Sequence, residues 1–282
     1  MVLSSALAAT EVWAPPGGQT RALSWALIGQ PVAWIIGQPV VGLVSEWDWR
    51  WAWVAVPLAA SLTALVAVAA RREPHWDVGG IERLGLWHRP GVPGWALGEL
   101  AALSSWAGTL VFAGALLAES YGTSTSLTGL VLGLVAAAYL PGNFLARRWV
   151  ASAGRALLVT LPLGMAALVT VYGVFRPNIV VTAVLLALLA AAAGARTISG
   201  AAVGLQLAQG RRLAAMGART AGLQFGYLTG SAVGGAALDL GGYAAVGGAF
   251  AVLFVLSSLF QARSLPSPRH ASSSEPEDLG TR

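Results

Sequence analysis

The stretch ALSWALIGQPVAWIIGQPVVGLV, residues 22–44, is rich in apolar residues and contains no charged side chain. A helix rises about 1.5 Å per residue, so about 20 apolar residues can cross a hydrocarbon core about 30 Å thick. The stretch is therefore long enough to span a lipid bilayer as one helix. Within it the letters GQPV occur twice, so two prolines and two glutamines lie inside the predicted span.

The rest of the chain also has the composition of a membrane protein. Of its 282 residues, 56% are hydrophobic and 10% are charged, whereas charged residues make up about 25% of a soluble domain. The alternating hydrophobicity of an outer-membrane barrel is absent, so helices are the expected spanning elements. We predict an all-α fold, a polytopic membrane helical bundle of about eight transmembrane helices, at residues 22–44, 51–70, 96–118, 127–145, 156–175, 179–207, 220–240 and 243–260.

The basic residues predict how these helices are oriented. All 17 are arginines, and the cytoplasmic loops of membrane proteins collect basic residues. The connections on one side of the predicted bundle hold only Arg50 and Arg176, whereas the other side holds Arg21, Arg71, Arg72, Arg83, Arg89, Arg147, Arg148, Arg155, Arg211, Arg212, Arg219, Arg263, Arg269 and Arg282. We therefore expect an integral multi-pass protein of the plasma (inner) membrane with a cytoplasmic C-terminus. The net charge of +5 reflects this sidedness, and no nucleic-acid partner is expected.

The chain contains a weak internal repeat. An offset of 198 residues places Arg21 on Arg219 and aligns the first two predicted helices with the last two. Both copies begin at an arginine, cross outward through a glycine-containing helix and return, so they are parallel repeats. Such repeats are typical of transporters with two similar halves. The same offset places the first residues of the chain opposite the end of the sixth predicted helix, so we expect a truncated version of a longer protein.

Four stretches resemble motifs of the major facilitator superfamily: RALSWALIGQPVAWIIGQPVVG (21–42), EWDWRWAWVAVP (46–57), PGNFLARRWVASAGR (141–155) and RTISGAAVG (196–204). Ala146 and Ser199 depart from the family pattern, which has aspartate and glutamine at those places. The chain resembles the fifth to twelfth helices of a drug or sugar efflux antiporter, truncated at its N-terminus. The resemblance implies a transporter that exports a small organic solute by alternating access and is coupled to protons.

The resemblance also implies how the chain is divided. Residues 1–70 are expected to be the remnant of the N-terminal half, 71–95 the central cytoplasmic loop, 96–262 the C-terminal six-helix half and 263–282 a disordered cytoplasmic tail. The expected partners are the lipid bilayer, the solute and protons, and a second chain could supply the missing helices. The alternative function is a truncated non-transporting fragment or a structural membrane subunit.

No enzymatic site is expected from the sequence. It has no nucleophile elbow, phosphate-binding loop or zinc motif, and it has no cysteine. The three histidines lie in a loop or in the tail without the spacing of metal ligands. We therefore predict a protein that is not an enzyme and that uses no cofactor and no metal. A membrane-embedded enzyme is the disfavoured alternative.

Residues 22–44 contain the first candidate functional side chains. Pro31 and Pro39 are predicted to kink the helix, and Gly29, Gly37 and Gly42 are predicted to let a neighbouring helix approach closely. Gln30 and Gln38 are eight residues apart, about 80° around a helix, so they can flank one face of a solute cavity. The alternative is a packing helix whose glutamines bond to neighbouring helices.

The seventh predicted helix has small residues at four-residue spacing, a pattern that forms a smooth groove for another helix. These residues are Gly222, Gly226, Gly230 and Gly234. Gln224 and Tyr227 lie three residues apart on a common face outside the groove. They are candidates for contact with the solute or, alternatively, for hydrogen bonds between helices.

Charged side chains inside the predicted spans are the remaining candidates. An arginine deep in a membrane helix costs about 2.5 kcal/mol or more, so Arg196 is expected to face a cavity, a partner or water. It either extends to the inner interface or lines the inward pathway, where it could hold an anionic group. Glu99 and Glu119 lie near the two ends of residues 96–118, where each is solvated at an interface or belongs to an ion pathway.

Overall fold

The computed structural model of the protein describes residues 18–69, 84–208 and 211–264. Over these ranges the chain is helical, apart from short connections and a 3-10 turn at Leu84–Leu86. The helices are α1 (Gln19–Asp48), α2 (Arg50–Ala69), α3 (Val92–Tyr121), α4 (Thr125–Ala137), α5 (Tyr139–Ala146), α6 (Val150–Val174), α7 (Ile179–Leu207) and α8 (Arg212–Ser264). The predicted all-α membrane bundle is confirmed. The predicted central loop and tail lie largely outside the described residues.

The number of spanning helices differs from the prediction. In the described ranges, six helices are long and apolar enough to cross a membrane, rather than eight. These six do not include α2, which is apolar and has 20 residues, about the length that a span needs. They also count α8 once, although its backbone leaves helical geometry at Gly241 and Gly242, between the seventh and eighth predicted helices.

The long helix α8 folds back on itself as a hairpin. Its backbone leaves helical geometry at Gly242, where φ is 62°, a region that glycine adopts without steric cost. The hydroxyl of Thr229, before this break, lies 2.5 Å from that of Ser104 on α3. After the break, the carbonyl of Phe250 accepts a hydrogen bond of 2.9 Å from Ser105. Both arms of α8 therefore pack on the same level of α3.

The glycines of the first α8 arm form the groove in which α3 lies. All four predicted groove residues face α3: Gly222, Gly226, Gly230 and Gly234. A Cβ at Gly226 would lie 3.0 Å from the backbone carbonyl carbon of Leu103, and one at Gly230 would lie 2.8 Å from the amide nitrogen of Gly108. The absence of side chains therefore lets the two helix backbones approach closely, as in other small-residue helix contacts.

The two prolines of α1 do not interrupt it. Pro31 and Pro39 lie inside a helix that is continuous from Gln19 to Asp48. A Cβ at Gly133 on α4 would lie 2.7 Å from Cγ of Pro39, so this proline is a packing surface for α4. No atom outside the local backbone lies within 4 Å of the Cβ position of Gly37, so the close contact predicted there is absent.

The close approach between α1 and α4 occurs instead one helical turn and a half later. A Cβ at Gly42 would lie 3.1 Å from Cα of Gly129, and one at Gly129 would lie 3.0 Å from Cα of Gly42. The sequence contains both glycines, but their pairing depends on the relative position of the two helices. This contact connects α1 with the rest of the bundle.

The fourth predicted helix is divided at Ala138 into α4 and α5. Pro141 has no N–H to donate to the carbonyl one turn earlier, which disfavours an uninterrupted helix at this point. A Cβ at Gly142 would collide with the carbonyl of Ala191, and one at Gly194 with the carbonyl of Tyr139. The α5 segment is therefore pressed against α7, which brings Tyr139 into the interior.

Candidate functional site

A buried charged cluster joins three helices. Nη2 of Arg196 on α7 lies 2.8 Å from Oε1 of Glu99 on α3, and Nε of Arg219 on α8 lies 2.9 Å from Oε2 of the same carboxylate. The exposed fractions are 2% for Glu99, 3% for Arg196 and 9% for Arg219. We call these three residues the charged triad. Each carboxylate oxygen of Glu99 is bound by one guanidinium.

Glycines make the room that the triad occupies. A Cβ at Gly200, one turn after Arg196 on α7, would lie 2.8 Å from Cδ of Glu99. Nη2 of Arg196 also donates to the carbonyl of Gly98 at 3.2 Å, and the hydroxyl of Ser257 donates to that carbonyl at 2.7 Å. The position of the Glu99 side chain is therefore fixed both by its packing against Gly200 on α7 and by its ion pairs with the two arginines.

Polar groups around the triad hold its three helices in register. Nη2 of Arg219 donates to the carbonyl of Thr197 at 3.3 Å, which ties α8 to α7. The indole Nε1 of Trp95 donates to the carbonyl of Gly200 at 3.0 Å, and Nε2 of Gln261 donates to the carbonyl of Trp95 at 3.3 Å. The triad is thus the centre of a polar network in an otherwise apolar bundle.

The triad carries a net charge of +1, because two guanidiniums face one carboxylate. Arginine keeps its charge in proteins, so the excess cannot be removed by deprotonation. Nε of Arg196 is buried and has no hydrogen-bond partner in the described part of the chain. Burying incompletely compensated charge is costly. The triad is therefore expected to be sensitive to any change in the charge of Glu99.

These positions differ from several expectations. Arg196 does not line the cavity described below, and of the three expected surroundings, a cavity, a partner or water, it has a partner, the carboxylate of Glu99. Glu99 is not a solvated helix-end residue, since it is almost fully buried. From the sequence, Arg219 was predicted to lie in a cytoplasmic connection. It lies instead about two turns inside α8, so it is not one of the loop arginines that indicate the orientation in the membrane.

A cavity of about 230 Å³ lies between α1 and helices α3, α4, α5, α7 and α8. The ring of Trp34 on α1 is 6.4 Å from that of Trp106 on α3 and 6.0 Å from that of Tyr139 on α5, measured between centroids. Gln38 and Tyr227 supply polar atoms to the wall, and no charged residue lines it. The cavity is therefore mainly aromatic and aliphatic.

The cavity lies close to the charged triad. Tyr139 lines the cavity, and its carbonyl packs against Gly194 on α7, the helix that bears Arg196. Glu99 and Trp106 are seven residues apart on α3, which corresponds to about 10 Å along the helix. The triad therefore lies about two helical turns along α3 from the aromatic wall.

The structure brings together only some of the predicted candidates. Gln38 and Tyr227 both line the cavity, whereas Gln30 and Gln224 do not. Glu119 is exposed near the end of α3 and accepts a hydrogen bond of 2.9 Å from the hydroxyl of Tyr243. It therefore belongs to neither the cavity nor the triad.

The sequence-based reasoning missed four residues of this region: Arg219, Trp34, Trp106 and Tyr139. The three aromatic residues lie within apolar segments, where composition does not distinguish a cavity wall from a lipid-facing surface. The internal repeat does point to Arg219, because it places this arginine at the start of a predicted span. The same position also fits a cytoplasmic connection, so it did not by itself indicate a site.

A comparison with protein families is decisive for the identity of the fold. The family model described as Major Facilitator Superfamily matches residues 95–280. The chain belongs to this superfamily. No individual curated protein gave a significant match to the chain. The matched region of this major facilitator contains all three members of the triad and the cavity residues of α3 to α8.

Membership gives the general activity of the protein. Major facilitators are membrane transporters, so this chain is an integral multi-pass membrane protein of the transporter class, surrounded by lipid and adapted to a small solute. This major facilitator combines an interior cavity with a buried charged cluster.

Proposed function

We propose that this major facilitator exports a small organic solute across the plasma membrane in exchange for protons, by alternating access. The observation that carries the proposal is the combination of a cavity of about 230 Å³ with a buried carboxylate, Glu99, which lies about two helical turns along α3 from the cavity wall. Exchange requires both a place for the solute and a group whose protonation changes the conformation. The two sites supply these two requirements.

The position of the cavity supports alternating access. Its wall combines Trp34 and Gln38 of α1 with residues of the 96–262 half, so relative movement of the two parts would change its shape. The main contact between these parts is the packing of α1 on α4, which includes the pairs Gly42 with Gly129 and Pro39 with Gly133. Small residues at this contact let the two helix backbones approach closely. We propose that residues 1–70 and 96–262 move as separate units about this contact.

Glu99 is the proposed proton site. It is the one buried acidic residue in the described ranges. In the closed triad its carboxylate neutralises one of two adjacent guanidiniums. Addition of a proton to a carboxylate oxygen removes this negative charge and leaves Arg196 and Arg219 without a counter-charge. Protonation and the closed triad therefore exclude each other, which couples proton binding to a change of conformation.

An inward proton gradient sets the proposed direction of exchange. A proton from the outside binds Glu99, opens the triad and is carried with the conformational change to the inside. Release of the proton restores the ionised carboxylate, and the triad closes again. The solute binds from the inside and is released when the cavity opens to the outside. The proposed orientation has the C-terminus in the cytoplasm, as the arginine distribution favours.

The test uses purified protein in proteoliposomes with an imposed pH gradient and a panel of small solutes. We expect gradient-driven flux in the wild type. Glu99→Gln should abolish gradient-driven flux, because the glutamine amide cannot bind and release the proton. Glu119→Gln is the matched control, since Glu119 is exposed and lies outside both sites.

Two outcomes would contradict the proposal. Equal gradient-driven flux in Glu99→Gln and wild type would exclude Glu99 as the proton site. The absence of flux for every solute, in protein that is monodisperse after extraction from the vesicles, would instead favour a non-transporting structural membrane subunit.

A further inference from the structure

We propose that the cavity selects small, planar, uncharged aromatic solutes of one or two rings. This inference rests on the proposed transport function, because it names the solute class of the same cavity. Three properties of the wall carry it: aromatic geometry, absence of charge and limited size.

The aromatic part of the wall is formed by three rings from three helices. The ring planes of Trp34 and Trp106 make an angle of 59°, and those of Trp34 and Tyr139 make an angle of 88°. Aromatic rings interact best in offset or edge-to-face arrangements. Rings inclined to one another in this way can offer a face and an edge to the same planar guest. A saturated or highly hydroxylated molecule would gain little from this wall.

The wall contains no group that would compensate a charged solute. The polar side chains among its lining residues are all neutral: Gln38, Tyr139, Tyr227, Trp34 and Trp106. A charged group that enters an apolar site without a counter-charge loses its hydration at a large cost. None of the three triad residues lines the cavity. Cations and anions are both disfavoured for this reason.

The volume of the cavity sets an upper limit on the size of the solute. Sites for drug-sized ligands measure about 300 to 1,000 Å³. The volume of about 230 Å³ lies below this range. A molecule of one or two fused rings fits this limit, whereas larger ring systems would require the cavity to expand.

Three probes that share one ring system test the inference: indole, which is uncharged, tryptamine, which is a cation, and indole-3-acetate, which is an anion. Radiolabelled probes are measured by equilibrium dialysis against the full-length protein in detergent. Excess unlabelled probe defines non-specific partition into micelles. We expect saturable indole binding that is about tenfold or more tighter than binding of either charged probe. Equal or tighter binding of a charged probe, or no saturable indole binding, would overturn the inference.

A charge introduced into the wall should redirect its selectivity. Gln38→Glu is expected to increase the affinity for tryptamine about tenfold relative to indole, because the carboxylate supplies the missing counter-charge. Gln30→Glu, on the same helix but outside the cavity, should leave both affinities unchanged. A gain of binding requires folded protein, so misfolding cannot produce this result. Unchanged tryptamine affinity in Gln38→Glu would contradict the assignment of the site.

Removal of an aromatic ring provides a second, independent measurement. Trp106→Ala should weaken indole binding about three- to tenfold, because the guest loses one ring contact. Trp53→Ala is the control, since Trp53 on α2 is 71% exposed and does not line the cavity. Equal indole affinities in these two variants would place the binding site elsewhere and overturn the inference.

The failure of this inference is distinguishable from failure of the proposed function. Saturable indole binding without gradient-driven indole flux would leave the solute class intact and reject transport. Gradient-driven flux of a charged solute, in protein that does not bind indole, would reject the solute class and leave transport intact.

Discussion

Gly200 and Glu99 fit together so closely that position 200 has no room for a side chain: a Cβ there would lie 2.8 Å from Cδ of Glu99. The two residues are on different helices, α7 and α3. The glycine therefore sets how deeply the carboxylate enters between the helices. It also brings the carboxylate within reach of Arg196 on one side and Arg219 on the other.

Gly200→Ala should destabilise the protein, because the added methyl group must displace the Glu99 carboxylate or separate α3 from α7. Overpacking of this kind costs about 1 to 3 kcal/mol. Thermal unfolding in detergent measures the effect as a lower apparent Tm. Gly164→Ala on α6 is the matched control, since no atom lies within 4 Å of its Cβ position, and alanine is the better helix former. A Gly200→Ala protein as stable as the control would show that the carboxylate is not held against α7.

Charge balance within the triad predicts an unusual order of stabilities. Glu99→Gln leaves two buried guanidiniums without a counter-charge, and breaking a buried ion pair in this way costs about 3 to 5 kcal/mol. The double variant Glu99→Gln with Arg219→Gln restores the wild-type net charge of +1. We therefore expect the double variant to have a higher apparent Tm than Glu99→Gln alone. Additive losses from the two substitutions would indicate that the residues act independently.

The fold could be predicted well from the sequence because a lipid environment restricts the backbone to few structures. In lipid the backbone must satisfy its own hydrogen bonds, so each long apolar run becomes a helix. The bounds of residues 179–207 agree with α7 for this reason. The break in α8 at Gly241 and Gly242 likewise falls between the last two predicted helices, residues 220–240 and 243–260, although the torsion angles that form the hairpin do not follow from composition.

The triad could not be predicted from the sequence, although each of its members has an unusual position. Arg196 was identified because an arginine inside a span is costly, but the choice among partner, cavity and water depends on the rotation of α7. Glu99 lies near a predicted helix end, where solvation is the ordinary expectation. Only the packing of α3 against α7 and α8 brings the two residues together with Arg219.

The two cavity residues predicted from the sequence can be tested by cysteine labelling, since the natural chain has no cysteine. Gln38→Cys and Tyr227→Cys should react with a small water-soluble thiol reagent, and a saturating concentration of indole should slow both reactions. Gln224→Cys is the control, because Gln224 is exposed but does not line the cavity. Labelling is quantified by mass spectrometry. Protection of Gln224→Cys, or no protection of the two cavity positions, would show that the cavity is not the binding site.

The proposed orientation predicts the compartments of two connections. The connection that contains Arg89 belongs to the arginine-rich side, and the one that follows Phe175 belongs to the arginine-poor side. Fusions of a reporter that is active only outside the cytoplasm should therefore be inactive after Arg89 and active after Phe175. A fusion after Arg148 is the internal control and should behave like the one after Arg89, since two helical spans lie between them. Activity of the Arg89 fusion together with inactivity of the Phe175 fusion would reverse the orientation, and with it the proposed direction of transport.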